Sequence, residues 1–234
     1  DQIEISIINP SGVRVGPVPE ILGPHRFRIG QTEILLYYGE PSPYSISQEI
    51  YIDLLPVESY LTEGIWRIVL SAGKIVTGQY EMWLPSDNVL NRGTGFLFPT
   101  DATTLTIPSS ASRAISVGAY DARTFAYADF SGRGFTRLTN MVKPDLVAPG
   151  VNVRTTAVGG GVTVVSGTSF ATPFVTGASA LLMEWGIVRG NDPFLYGEKV
   201  KAYLRRGARE LPGFGKYPNR EVGYGRLCLE RSLP

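Results

Sequence analysis

From Ser169 to Met183 the chain carries small and apolar residues nearly all the way round a helical period. A helix without a polar face has to be enclosed by other elements, so this segment predicts the internal helix of a layered domain. Upstream, Ile115-Ser116-Val117-Gly118-Ala119 is a short apolar run of buried-strand type. Downstream, Glu198 to Ala208 sets Val200, Tyr203, Leu204 and Ala208 at three- and four-residue spacing, which describes an amphipathic helix covering a sheet. Its Lys199, Lys201, Arg205 and Arg206 read as a solvated face. After about Asp101 the chain is therefore α/β in character.

The first hundred residues follow a period of two. Ile3, Ile5 and Ile7 alternate, then Phe27 and Ile29, then Ile34, Leu36 and Tyr38. The pattern continues at Ile50, Ile52 and Leu54, at Trp66, Ile68 and Leu70, and at Val76, Gly78, Tyr80 and Met82. Pro10-Ser11-Gly12, Gly39 to Pro43 and Ser71-Ala72-Gly73 read as the turns between strands. Short half-buried strands at this spacing predict a sandwich or jelly roll. The expected organisation is an all-β domain over 1–100 and an α/β portion over 101–234.

Composition narrows the partners. Lys+Arg 22 against Asp+Glu 21 leaves a net charge of +1, so no field of one sign invites nucleic acid or another polyanion. No run of about 18 apolar residues predicts a membrane span, and the N-terminus lacks the basic-then-apolar order of a signal peptide. The single cysteine, Cys228, has no internal disulfide partner and suits a small structural side chain between Tyr224 and Leu229. The chain starts at Asp1, without methionine, and runs almost at once into a strand pattern, as an internal piece of a longer protein would.

Gly167-Thr168-Ser169-Phe170-Ala171-Thr172-Pro173 puts a serine between a glycine turn and a helix. The early proline is expected where a missing N–H costs little. Free N–H groups and partial positive charge at a helix start stabilise the oxyanion formed when a serine attacks a carbonyl. For a serine taken alone, an N-cap is the ordinary role. Its neighbours change that. Gly-Thr-Ser-x-Ala-Thr-Pro resembles the nucleophile motif of the subtilisin family. Ile115 to Asp121 with Phe130-Ser131-Gly132, and Lys143-Pro144-Asp145-Leu146-Val147-Ala148-Pro149-Gly150, resemble two further family segments in the expected order. Val222-Gly223-Tyr224-Gly225-Arg226-Leu227 looks like the family's closing strand, so the resemblance runs from about Thr106 to Pro234.

The resemblance implies a serine endopeptidase in which Ser169 attacks a peptide carbonyl, a histidine takes its proton and an aspartate orients that histidine. It also implies substrate contacts at Thr168 and, by spacing, at Thr106 and Ile107. Asp145 matches a family position near a weak cation site, but a structural hydrogen bond is the expectation there. No metal or cofactor is expected.

The sequence then departs from the family. The one histidine, His25, stands in Gly23-Pro24-His25-Arg26-Phe27 and reads as a turn or strand-edge residue. No Asp-Thr/Ser-Gly segment is present, and Asn88, Asn91 and Asn140 lie outside the Gly-Asn context of an oxyanion asparagine. The expectation is a nucleophile-bearing portion, inactive alone, whose partner is the N-terminal part of the same catalytic domain and whose substrate is protein or peptide. The alternative is a non-catalytic pseudoprotease acting as a regulatory or binding scaffold.

A β insertion ahead of the Ile-Ser-Val-Gly strand is similar to the spore-germination (Csp-type) subtilases, which carry a jelly roll at that place. That resemblance implies a secreted or spore-associated protein that activates a cortex hydrolase by limited proteolysis. Tyr37, Tyr38, Tyr44, Tyr51, Tyr60, Trp66, Tyr80 and Trp83 are expected in cross-strand packing, with a sugar-stacking face as the alternative.

Overall fold

A computed structural model describes residues 1–41, 43, 47–85 and 89–233; Tyr44 and Asn88 lie outside the described residues. The chain divides into two compact units, Asp1–Gly93 and Thr94–Pro234.

The first unit holds two three-stranded antiparallel sheets. One runs β2-β1-β6, with β1 at Gln2–Ile8, β2 at Arg14–Val18 and β6 at Arg67–Lys74. The other runs β3-β4-β5, with β3 at Gly23–Ile29, β4 at Thr32–Tyr38 and β5 at Ile50–Pro56. Alternation decides which side chains meet: Ile5, Ile7, Val18, Ile29, Ile34, Leu36 and Tyr38 form one buried cluster. Trp66, Ile52, Leu54 and Leu70 pack against it.

Two expectations fail here for one reason, the availability of a pairing partner. Ser71-Ala72-Gly73 is not a turn: Ser71 and Ala72 pair with Glu4 and Ile3, and β6 runs on to Lys74. Conversely, Val76 to Met82 is not a strand, and Val76 is 77% exposed. Its first N–H groups are taken by a side chain instead. The Asp1 carboxylate accepts from the N–H of Val76, of Thr77 at 3.0 Å and of Gly78 at 2.8 Å, and from the Thr77 hydroxyl at 2.9 Å.

In the second unit β7 (Val117–Tyr120) and β8 (Leu146–Pro149) pair in parallel. Leu146, Val147 and Ala148 are all fully buried, the pattern of a strand covered on both faces. Arg226 bridges the far side of β8 at Val147. An antiparallel ribbon of β9 (Val153–Thr156) and β10 (Val162–Val165) leads into α1 (Thr168–Met183). A π turn over Glu184–Val188, α2 (Glu198–Gly207) and the short α3 (Leu229–Ser232) complete the unit. Cys228, half-buried and unbonded to any other cysteine, stands immediately before α3.

Helix α1 buries Ala171, Val175, Ala178 and Leu182 and packs on β7 and β8. It is not enclosed on every side, however. Phe174 and Leu181 are 44% and 53% exposed. With the π turn, Thr168–Val188 is also long and apolar enough by length and composition to cross a membrane, a length the sequence pattern had not suggested; its inner face is part of the unit's core.

Candidate active site

Ser169 stands at the second position of α1, exposed to solvent. The turn before it is set by close approaches. Gly167 has φ 152°, a conformation that residues with a side chain rarely adopt. Its N–H donates to the Gly150 carbonyl at 2.8 Å, and Gly150 N–H donates to the Tyr120 carbonyl at 3.0 Å, so the helix start is tied to the ends of β8 and β7. A Cβ at Gly150 would lie 2.5 Å from Ala119 Cβ and 3.0 Å from the Gly167 oxygen. Glycine is required there for that approach.

No side chain caps α1; Phe170 N–H donates to the Gly167 carbonyl at 3.1 Å, and the N–H groups of Thr168 and Ser169 are the ones that open at the helix start. Among the described residues no partner pairs with Ser169 Oγ. Pro173 is the sixth helical residue, past the first turn where it was expected, and it offers no N–H to the Ser169 carbonyl.

Next to the helix start lies a cavity of about 370 Å³. Thr168 and Thr106 line it, together with Val117 and Gly118 of β7 and Ser131, Gly132 and Arg133. Ile107 does not; its side chain is 89% exposed. The 104–106 wall is held by Thr104, whose N–H donates to the Arg133 carbonyl at 2.8 Å and whose Oγ1 accepts from Arg133 N–H at 2.9 Å. Arg133 also pairs with Asp101 and lies over the Tyr127 ring. Burial, the largest influence, pushes the Tyr127 phenol above its ordinary value, and its hydroxyl donates to the Ser131 carbonyl.

The outer edge of β7 faces this cavity. Residues 126–131 cover part of it: Tyr120 bridges Tyr127 in antiparallel fashion, Asp121 N–H donates to the Ala126 carbonyl at 2.8 Å, Ala128 N–H donates to the Ala119 carbonyl at 3.2 Å and Ser131 Oγ accepts from Ala119 N–H at 3.0 Å.

Below β7 and β8 sits a buried charge cluster. Asp145 is fully buried and accepts from Ser116 N–H at 2.6 Å, Lys143 Nζ at 2.9 Å and Arg205 Nε at 2.8 Å. Lys201 Nζ lies 3.5 Å from its second oxygen and donates to the Ser112 carbonyl at 2.5 Å. Lys201 and Arg205 are thus not a solvated face. Burial holds the Lys201 ammonium below its ordinary value. The signal was present in the spacing: Lys201 and Arg205 each follow an apolar core residue, Val200 and Leu204, at i and i+4, so their row borders the buried stripe.

His25 stays on β3, where its Nε2 lies 2.7 Å from the Ile21 carbonyl and its ring packs by Phe27 and Tyr38. Asn140 occupies a turn with φ 49°.

The sequence pattern of the subtilase family matches residues 67–225, more than half of the chain. The chain belongs to the subtilase family. It is 37% identical over 134 residues to the membrane-bound transcription factor site-1 protease of Mus musculus, covering 55% of this chain and 12% of that protein. With the serine protease AprX of Bacillus subtilis (strain 168) it shares 32% identity over 154 residues, 57% of this chain and 33% of the relative. The structure of the Clostridium perfringens CspB protease is 40% identical, with a TM-score of 0.86, over 99% of this chain and 48% of that one. The chain therefore spans about half of the CspB protease and a third or less of these two curated relatives. Its subtilisin-like fold of mixed sheets and helices and its kinship with Csp-type subtilases follow from these likenesses.

Proposed function

We propose that this subtilase chain carries the nucleophile of a serine endopeptidase and works only when joined by the segment bearing the general base. Ser169 Oγ attacks the peptide carbonyl carbon while an imidazole takes its proton; the N–H groups at the start of α1 receive the oxyanion. The imidazolium then protonates the leaving amine, and water hydrolyses the acyl-serine. Thr168, Thr106 and Ile107 contact the substrate residue before the scissile bond. The observation that carries this is the exposed, unpartnered Ser169 hydroxyl at an uncapped helix start beside the 370 Å³ cavity.

The histidine, aspartate and oxyanion asparagine belong to the N-terminal part of the same catalytic domain. That part packs on the Phe174 and Leu181 face of α1 and beside the Val117 end of β7. Burying the exposed halves of these two side chains is worth about 1.5–3 kcal/mol. Residues 1–100 are an inserted jelly-roll-like domain, and 101–234 the C-terminal portion of the catalytic domain. The substrate is protein or peptide; nucleic acid and membrane have no part in the reaction.

Hydrolysis of a fluorogenic peptide library by the full-length protein tests this. Ser169→Ala should cut turnover by about 10⁴-fold or more, and the 234-residue chain alone should stay at background. A correctly folded full-length protein with no serine-dependent hydrolysis would instead favour a pseudoprotease scaffold.

A further inference from the structure

On the outer face of the β3-β4-β5 sheet one row of side chains differs from its neighbours. The register sets Pro24 opposite Tyr37 and Tyr37 opposite Tyr51. Further along lie Arg26, Leu35 and Asp53, then Arg28, Glu33 and Leu55, rows that mix charge with apolar surface as a solvated face does. The end row is uncharged, and its two phenol rings are 47% and 54% exposed. A one-residue slip would bury them only by expelling Leu36 and Tyr38 from the core. The tyrosines are therefore held outward by the register itself. Beside them opens a cleft of about 740 Å³, lined among others by Leu22, Pro41, Glu40 and Glu49.

We propose that this cleft binds a neutral carbohydrate chain, with sugar rings stacked on Tyr37 and Tyr51 and sugar hydroxyls donated to the carboxylates of Glu40 and Glu49. A flat aromatic ring offers its negative face to the C–H groups of a pyranose. Exposed aromatic rows also receive proline-rich peptides. Such a peptide presents carbonyl acceptors and lacks N–H at its prolines, so it would set acceptor against acceptor at the two glutamates. Sugar hydroxyls supply the donors those carboxylates need. An acidic polysaccharide would meet like charge. The site lies wholly within the first unit and is independent of Ser169.

Calorimetric titration of the chain with the hexamer of N-acetylglucosamine and with cellohexaose tests the proposal. At least one should bind, more tightly than its dimer. Tyr37→Ala and Tyr51→Ala should each weaken binding about tenfold or more, the scale for removing one aromatic platform. Tyr37→Phe should retain it, and Ser169→Ala should leave it unchanged. Glu49→Gln, a surface change that spares the core, should weaken binding by itself, so the site can be judged even where an alanine variant misfolds. No binding of either hexamer, binding that survives both alanine changes and Glu49→Gln, or preferential binding of a decaproline peptide would overturn it.

Discussion

Replacing Asp145 with asparagine removes one negative charge from a site that holds three cations. Lys143 Nζ is 2.9 Å from Asp145 Oδ2, and both side chains are essentially without solvent contact, at 1% and 0% exposed. At that distance the attraction is about 6 kcal/mol for an effective dielectric constant of about 20. Most of it offsets the cost of removing the two charges from water. Removing one partner does not return that cost for the other, so breaking a buried pair destabilises by about 3–5 kcal/mol. Asparagine still accepts the Ser116 N–H, which isolates the charge. Of the three tryptophans only Trp185 lies in the second unit, where it packs against the main core. Urea unfolding followed by Trp185 fluorescence, with Trp66 and Trp83 replaced by phenylalanine, reads that unit by itself. Asp145→Asn should lower its unfolding free energy by about 3–5 kcal/mol, and adding Lys143→Met should restore part of the loss. The exposed pair of Glu184 and Arg189 is the control: Glu184→Gln should cost at most about 1 kcal/mol. An Asp145→Asn loss as small as the control would refute the reasoning.

Gly150→Ala should destabilise the second unit by about 1–3 kcal/mol through overpacking against Ala119 and Gly167, and should reduce the reactivity of Ser169 in the full-length protein; unchanged melting would contradict this. Tyr127 is raised by burial above the ordinary phenol value of 10.0, so the unfolded chain ionises first; the stability it contributes is present below that pH and lost as pH climbs past it. Tyr127→Phe should flatten the alkaline loss in pH-dependent urea unfolding, and an unaltered slope would count against burial as its source. Asp1→Ala should speed hydrogen exchange at Val76, Thr77 and Gly78 while leaving the amides of β4 protected; equal rates would show that the carboxylate does not hold that turn.

What the sequence disclosed follows from how local each signal is. The strand alternation at Ile34, Leu36 and Tyr38 and the small-residue helix after Ser169 depend on neighbours within a few positions, and both stand in the fold. Ser71-Ala72-Gly73 has local turn propensity, but pairing with β1, far off in sequence, overrides it. Val76 to Met82 shows the opposite: among the described residues its alternation finds no partner strand, and a carboxylate 75 residues away takes the first N–H. The helix period revealed α2 but not that Lys201 and Arg205 turn to a buried aspartate, since a row at the margin of an apolar stripe can face either way. Tyr37 and Tyr51 obey the strand period, which sets them opposite each other across β4 and β5 and points both outward. At the candidate site the glycine turn and serine were legible as a motif, whereas the Gly150 to Gly167 contact that positions them is a matter of tertiary distance.

Fluorophosphonate labelling followed by peptide mapping tests the central claim most directly. The account predicts a covalent adduct on Ser169 in the full-length protein, lost in Ser169→Ala and absent from the isolated chain. Labelling of the isolated chain at the same rate, or an adduct on a different serine of the full-length protein, would contradict it.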